Sequence, residues 1–242
     1  MILNSAAINF VIPIGVCNCL LAQLDLDFNR IAPSIPYILG GIWITLKFTL
    51  LSAIFGFIWG TVLSLFKISS IKPLYWFGMA YTSVFRGTPL LVTLSKIYFD
   101  TPQLTGYEIS GFQAGVITFS LNSGAYISEV IRAGIMAVDK GQTEAAMSLG
   151  VSYKPMMLDV ILPQAIKNIL PALVNESIAL LKDSALVSTI GATDLLRRAQ
   201  IVGAEKYVYF EPLLIVAVVY YLMVMSLTLS ANLLETQLRK SS

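Results

Sequence analysis

Apolar residues fill this chain in five long runs, broken by short polar segments. A helix needs about 20 apolar residues to cross ~30 Å of hydrocarbon. Phe48–Phe66 carries no charge over 19 residues, and Leu213–Leu234 none over 22. Both predict membrane-spanning helices. Three further runs are interrupted by charge: Leu74–Tyr98 by Arg86 and Lys96, Phe112–Met136 by Glu129 and Arg132, and Ile169–Ala192 by Glu176, Lys182 and Asp183. Charge in hydrocarbon is costly, so these spans should turn their charged faces to other helices or to a cavity. The connections read KISSIK, DTPQLTGYEIS, the segment Gly141–Ala165, and TDLLRRAQIVGAEKYVYFE.

Ala6–Leu24 is a sixth candidate span. It is uncharged but weakened by Asn9, Pro13, Gly15, Asn18 and Gln23. No Lys or Arg precedes it, so it lacks the basic start of a secretory signal. Residues 1–38 therefore read as an N-terminal extension, with an extra membrane or interfacial helix left open. Residues 39–238 read as the main bundle. The expected fold class is all-α: a polytopic membrane helical bundle with five core transmembrane helices.

The connection Gly141–Ala165, GQTEAAMSLGVSYKPMMLDVILPQA, is long and polar for such a chain. Its first half predicts a short helix: Glu144, Ala145 and Ala146 are good helix formers, with the glutamate expected in the first turn, where it suits the helix dipole. Gly150 falls where a helix stops in a positive-φ residue. Ser152 can then cap a second helix, with Pro155 in its first turn, running to Pro163. Met147, Val151, Met156, Met157 and Val160 give the segment an apolar face. By itself that face equally suits an amphipathic hairpin lying on a bilayer surface.

Composition narrows the chemistry. The chain of 242 residues is 56% hydrophobic and only 12% charged, against about 25% charge in an average soluble domain. Its mean hydropathy is +0.76. A net charge of +2 does not indicate a nucleic-acid partner. Histidine is absent, which removes the commonest general base and metal ligand. No GxSxG run, paired-aspartate motif or GxxxxGK[ST] phosphate cradle occurs, so neither an intramembrane enzyme nor an ATPase is indicated. No catalytic and no metal-binding residues are expected. Cys17 and Cys19 are too close for an unstrained bridge and read as free thiols; Val16 is a poor residue before a lipid-attachment cysteine.

Lys and Arg counts set orientation. With a cytoplasmic C-terminus, Lys67, Lys72, Arg132, Lys140, Lys154, Lys167, Arg239 and Lys240 lie on the cytoplasmic side. Arg30, Arg197, Arg198 and Lys206 lie opposite, and Lys47, Arg86, Lys96 and Lys182 within spans. The eight-to-four split favours this orientation, which places Gly141–Ala165 in the cytoplasm.

At this point the residues resemble a known family. Gly141-Gln142 ahead of Glu144-Ala145-Ala146, then Gly150, then Val160-x-Leu162-Pro163 is similar to the EAA motif of ATP-binding-cassette (ABC) importer permeases, with valine where isoleucine is usual. The run Phe85–Leu91, FRGTPLL, resembles that of polar-amino-acid permeases of the histidine, glutamine and arginine type. So do Ala125-Tyr126 with Glu129 and Arg132, and Leu181-Lys182-Asp183-Ser184-x-Leu186, the latter with Ser184 and Ala185 where threonine and serine are usual. Thr93 stands where a glutamine is common, and Lys96 falls in a usually apolar stretch. The resemblance spans about Gly40 to Leu238. It implies a cytoplasmic coupling-helix loop at 139–165 that docks in a groove of a separate ATPase. Its contact residues would be Gly141, Glu144, Ala145, Ala146, Gly150, Leu162 and Pro163. It also implies a second permease chain, identical or sister, an extracytoplasmic amino-acid-binding protein, and ATP and Mg bound by the ATPase, with no cofactor on this chain. The implied activity is import of a polar amino acid, a basic one being favoured by an acidic wall. The rival is a secondary transporter or channel working unaided, although no internal repeat is evident.

Several polar residues in the spans are open to two readings. Arg86-Gly87-Thr88-Pro89 should kink or break its helix. Arg86 either lines the pathway or locks two helices by pairing with Glu129. Thr118, Asn122, Tyr126 and Glu129 share one face of the third span; Asn175, Glu176, Lys182 and Asp183 lie on adjacent faces of the fourth. With Thr93, these form either a substrate pathway or an interhelical polar network.

Overall fold

The computed structural model describes residues 26–240, and every element in them is helical. Ala6–Leu24, Cys17 and Cys19 lie outside the described residues. After two short turns at Phe28–Ile31 and Ile35–Leu39 come α1 (Gly41–Ile68), α2 (Lys72–Gly87), α3 (Leu90–Thr105), α4 (Gly111–Met136), α5 (Lys140–Ser148), α6 (Leu162–Asp183), α7 (Leu195–Lys206) and α8 (Phe210–Lys240). All five hydrophobic runs are thus helical. By length and composition, three continuous helical stretches among the described residues can cross a membrane: Phe28–Ile68, Tyr153–Ile190 and Phe210–Leu233. The α2–α3 pair and α4 are more polar, and α4 accordingly sits inside, packed against α1, α2, α3 and α6.

Small residues let α1 and α4 approach closely, the main source of helix attraction in lipid. A Cβ on Gly60 would meet the Ile127 side chain at 2.8 Å, and one on Gly124 would meet the Trp59 ring at 2.7 Å. Further along the same contact Phe48 is buried edge-to-face on Phe119, with ring centroids 5.0 Å apart.

Leu74–Tyr98 is two helices, with the break where Arg86-Gly87-Thr88-Pro89 predicts one, because Pro89 supplies no N–H and forces Thr88 into an extended conformation (φ −105°, ψ 132°). Other stretches differ from their sequence reading. DTPQLT is not loop: α3 runs to Thr105 and stops at Gly106 in the left-handed region. The predicted helix stop at Pro163 does not occur. A π-helical stretch, Met156–Ile161, leads straight into α6, its wider turn closed by the Leu162 N–H on the Met157 carbonyl. Proline in the first turn of α6 then loses no bond. After Asp183 the backbone tightens into a 3₁₀ stretch, Ser184–Ile190.

The TDLLRRAQ connection contains α7, because Asp194 caps it. The Asp194 carboxylate accepts from the Leu196 and Arg197 amides at 3.4 and 2.9 Å while the residue is only 1% exposed. Burial outweighs these bonds and pushes its carboxyl up from 3.8 to about 6. The folded chain therefore holds this proton more tightly than the unfolded one, and stability falls as pH rises between those values. Amide exchange at Leu196 and Arg197, corrected for intrinsic rate, is expected to show weaker protection at pH 7 than at pH 4.5. Asp194→Asn, which keeps a capping oxygen, should abolish that difference; a difference that persists would refute the assignment.

Candidate functional site

Two features concentrate the sequence candidates, and a third was not foreseen. The first is the 139–165 segment, a helix, a glycine turn and a second helical stretch. The helix starts earlier than expected: Asp139 caps it, its carboxylate accepting from the Gly141 amide at 2.6 Å. Glu144 is consequently in the second turn, away from the dipole end, and exposed. Gly150 has φ +71°. Its amide bonds to the Met147 carbonyl and the Val151 amide to the Ala146 carbonyl, each at 3.0 Å; this is the Schellman termination, which needs a left-handed residue at this position. Ser152 occupies the next cap position without a side-chain bond.

The apolar face of the segment points inward. Val151, Met156, Met157 and Val160 join Val138, Ala146, Ile161, Ala165 and Ile169 in one cluster with Ile131 and Ile135 of α4. Gly134 permits the contact: a Cβ there would meet Ile169 at 2.3 Å. What remains outside is Glu144, Ala145, Met147 at 58% exposure and Leu149 at 83%. Gly141 and Pro163 are also exposed, and Leu162 half-buried. Gln164 Nε2 donates to Gln142 at 3.3 Å, tying α5 to α6. The segment is therefore a braced extension of α4 and α6 with an exposed tip.

The second feature is a cavity of about 520 Å³ at the α2–α3 break. Arg86 and the Gly87–Pro89 backbone form one wall, Asn122 and Tyr126 of α4 a second, and Glu176 and Asp183 of α6 a third. The Arg86 guanidinium lies over the Tyr126 ring, 5.3 Å from its centroid. Ser123 Oγ donates to Glu176 at 3.3 Å. Seven residues separate Glu176 from Asp183, two helical turns, which is why both reach one cavity. Thr93, Asn175 and Lys182 are not part of its lining; Asn175 and Lys182 are exposed elsewhere on α6, and Thr118 is buried with its hydroxyl on the Ala114 carbonyl.

The third feature corrects the Arg86–Glu129 pairing. Glu129 instead accepts from Lys67 Nζ at 2.7 Å and from Arg132 at 2.8 and 2.9 Å. The Lys67 side chain is fully buried and also donates to Ser128 Oγ at 2.9 Å. Lys67 ends an apolar run and reads from sequence as the first residue of a loop. Glu129 and Arg132, three residues apart on the third span, balance each other in charge, so nothing in the sequence pointed to Lys67 as their partner. Among the described residues no group of metal-ligating side chains stands close enough to hold an ion.

Residues 52–240 match the family described as binding-protein-dependent transport system inner membrane component. The chain is 53% identical to the arginine transport system permease protein ArtQ of Bacillus subtilis, over 90% of this chain and 100% of that protein. It is 35% identical to the glutamate/aspartate import permease protein GltK of Escherichia coli O6:H1, over 89% and 98%. Among solved structures it resembles an amino acid ABC transporter crystallised with histidines, at 47% identity and a TM-score of 0.85 over 88% of this chain and 99% of that one. The inward-facing MetNI methionine ABC transporter shares the fold, with a TM-score of 0.71 at 22% identity.

Proposed function

The chain belongs to the binding-protein-dependent transport system inner membrane component family, and on that premise we propose that it is the multi-pass permease subunit of an ABC importer for a polar amino acid. The observation that carries the reading is the cavity at the α2–α3 break. Arg86 offers a cation for an α-carboxylate, and Glu176 and Asp183 offer anions for an α-ammonium group. With two carboxylates against one guanidinium, the remaining negative charge favours a substrate whose side chain is cationic. The 53% identical arginine transport permease supports this choice.

The chain itself hydrolyses nothing in this reading. ATP and Mg bind to partner ATPase subunits, which grip the 139–165 coupling loop at Glu144, Ala145, Met147 and Leu149. The loop shares one core with the ends of α4 and α6, and the same two helices supply two of the cavity walls. Drawing the loops of two permease chains together therefore shifts Asn122 and Tyr126 against Glu176 and Asp183, and switches access. An extracytoplasmic amino-acid-binding protein delivers substrate to the opposite side.

The proposed orientation puts the 139–165 loop and the C-terminus in the cytoplasm and Thr193–Glu211 outside. Lys67 and Arg132 are occupied with Glu129, but they lie at the same end of the bundle and still count towards that side. Single-cysteine labelling in a Cys17- and Cys19-free background is expected to leave Ser152→Cys unlabelled in intact cells. Labelling of that position from outside would overturn the orientation. Uptake by the permease alone in vesicles without ATP would overturn the importer reading.

A further inference from the structure

The ion triad at the end of α1 borders a second cavity, of about 720 Å³, which the translocation reading leaves unused. Its walls are the ends of α1, α2 and α4 and the stretch leading into α6. Leu65, Ile68, Met79, Ile135 and Leu158 make the recess mainly apolar, and among the described residues its charged groups are Lys67, Glu129 and Arg132. Two cations against one carboxylate leave one positive charge in excess. Both Glu129 oxygens are already occupied, Oε1 by Lys67 and Oε2 by Arg132. Of the Arg132 nitrogens, Nη1 contacts only the Met136 sulfur, at 2.9 Å, a weak acceptor. An uncompensated cation beside hydrocarbon walls is unfavourable, and an anionic head group with acyl chains complements both properties.

We propose that this cavity holds one anionic phospholipid, of the phosphatidylglycerol type, taken from the leaflet on the side of the 139–165 loop. Its phosphate meets Arg132 Nη1, and an acyl chain runs from there along Met79 and Leu65 into the bilayer. Basic pockets between membrane helices are suited to such head groups. The cavity touches Tyr153, Met157, Leu158 and Leu162 of the loop, so a bound lipid would brace the loop against α1 and α2. The proposal rests on the chain spanning a membrane and not on the identity of its substrate.

The test reconstitutes the permease with its ATPase in equimolar dioleoyl-phosphatidylglycerol and dioleoyl-phosphatidylcholine, then weighs the intact complex by native mass spectrometry. One phosphatidylglycerol per permease chain is expected to be retained in preference to phosphatidylcholine. Arg132→Gln should reduce that retention about tenfold, the loss of one charge-assisted contact. Leu158→Trp fills the cavity from an exposed position (51% exposure) without touching the charges, and should reduce it equally with the complex intact. If Arg132→Gln fails to assemble, Leu158→Trp alone decides. No preference for phosphatidylglycerol in the unmodified chain, or a preference surviving the decisive variant, would overturn the proposal. So would a disulfide between two permease chains each carrying Leu158→Cys, since a second copy would then occupy the site.

Discussion

Gly150→Val is expected to abolish uptake and release the ATPase while the membrane helices stay folded. Gly150 sits at φ +71°, and nothing lies within 4 Å of a Cβ placed there. The cost of valine is therefore conformational rather than steric, of order 1–2 kcal/mol or more for a β-branched residue. The chain escapes it by leaving the left-handed region, which breaks the two bonds from the Gly150 and Val151 amides. The α5 tip, with Met147 and Leu149, then meets the ATPase groove at another angle. Inward packing of Val151, Met156 and Val160 on α4 and α6 keeps the base of the loop in place. Glu144→Lys should also lose the ATPase, by a different route. Glu144 is exposed and beyond the first turn, so the change leaves α5 intact and inverts a charge at the contact. A Ser110→Thr control at the other end of α4, which keeps the capping hydroxyl for the Gln113 amide, should affect neither. Co-purification of the ATPase, read beside uptake, decides: normal binding and normal uptake in Gly150→Val would sink the coupling assignment and favour a hairpin resting on lipid.

Neutralising the acidic wall should have the second largest effect. Glu176→Gln and Asp183→Asn keep shape and remove charge, and each is expected to lower uptake about tenfold to a hundredfold, the value of a charge-assisted hydrogen bond in a confined site. Lys182→Met should change uptake little, although Lys182 neighbours Asp183 in sequence, because Asp183 lines the cavity and Lys182 does not. Membrane abundance and complex formation are measured in parallel. A loss of abundance matching the loss of uptake would make the carboxylates structural, and a Lys182→Met defect as severe as Asp183→Asn would refute this cavity as the pathway.

Much of the architecture was legible in the sequence because it depends on local chemistry. Apolar length predicted the five hydrophobic helices. The missing N–H of Pro89 and the conformational restriction of Thr88 predicted the break between α2 and α3. Gly150 was readable as a left-handed helix end from its place after a helix-forming run. Local rules failed where two of them competed. Pro163 reads as a helix stop, yet the π-helical turn before it supplies the wider backbone that lets the helix continue. Glu144 reads as a first-turn acid, but Asp139 caps the helix five residues before it and leaves Glu144 in the second turn.

Only the tertiary structure decided which charges meet. Arg86 and Glu129 are charges of opposite sign within two hydrophobic runs, and a pairing rule joins them. The rotation of α4 instead turns Tyr126 towards Arg86 and Glu129 towards Lys67. The rotation of α6 likewise separates Glu176 and Asp183, which share a cavity, from Asn175 and Lys182 one position before each. Neighbouring residues on a helix point about 100° apart, so the helix spacing that follows from sequence limits which side chains share a face. Which face looks at which neighbour depends on how deeply the helices interlock, and here that was decided by contacts such as Gly60 on Ile127 and Gly134 on Ile169, between residues 67 and 35 positions apart in the chain.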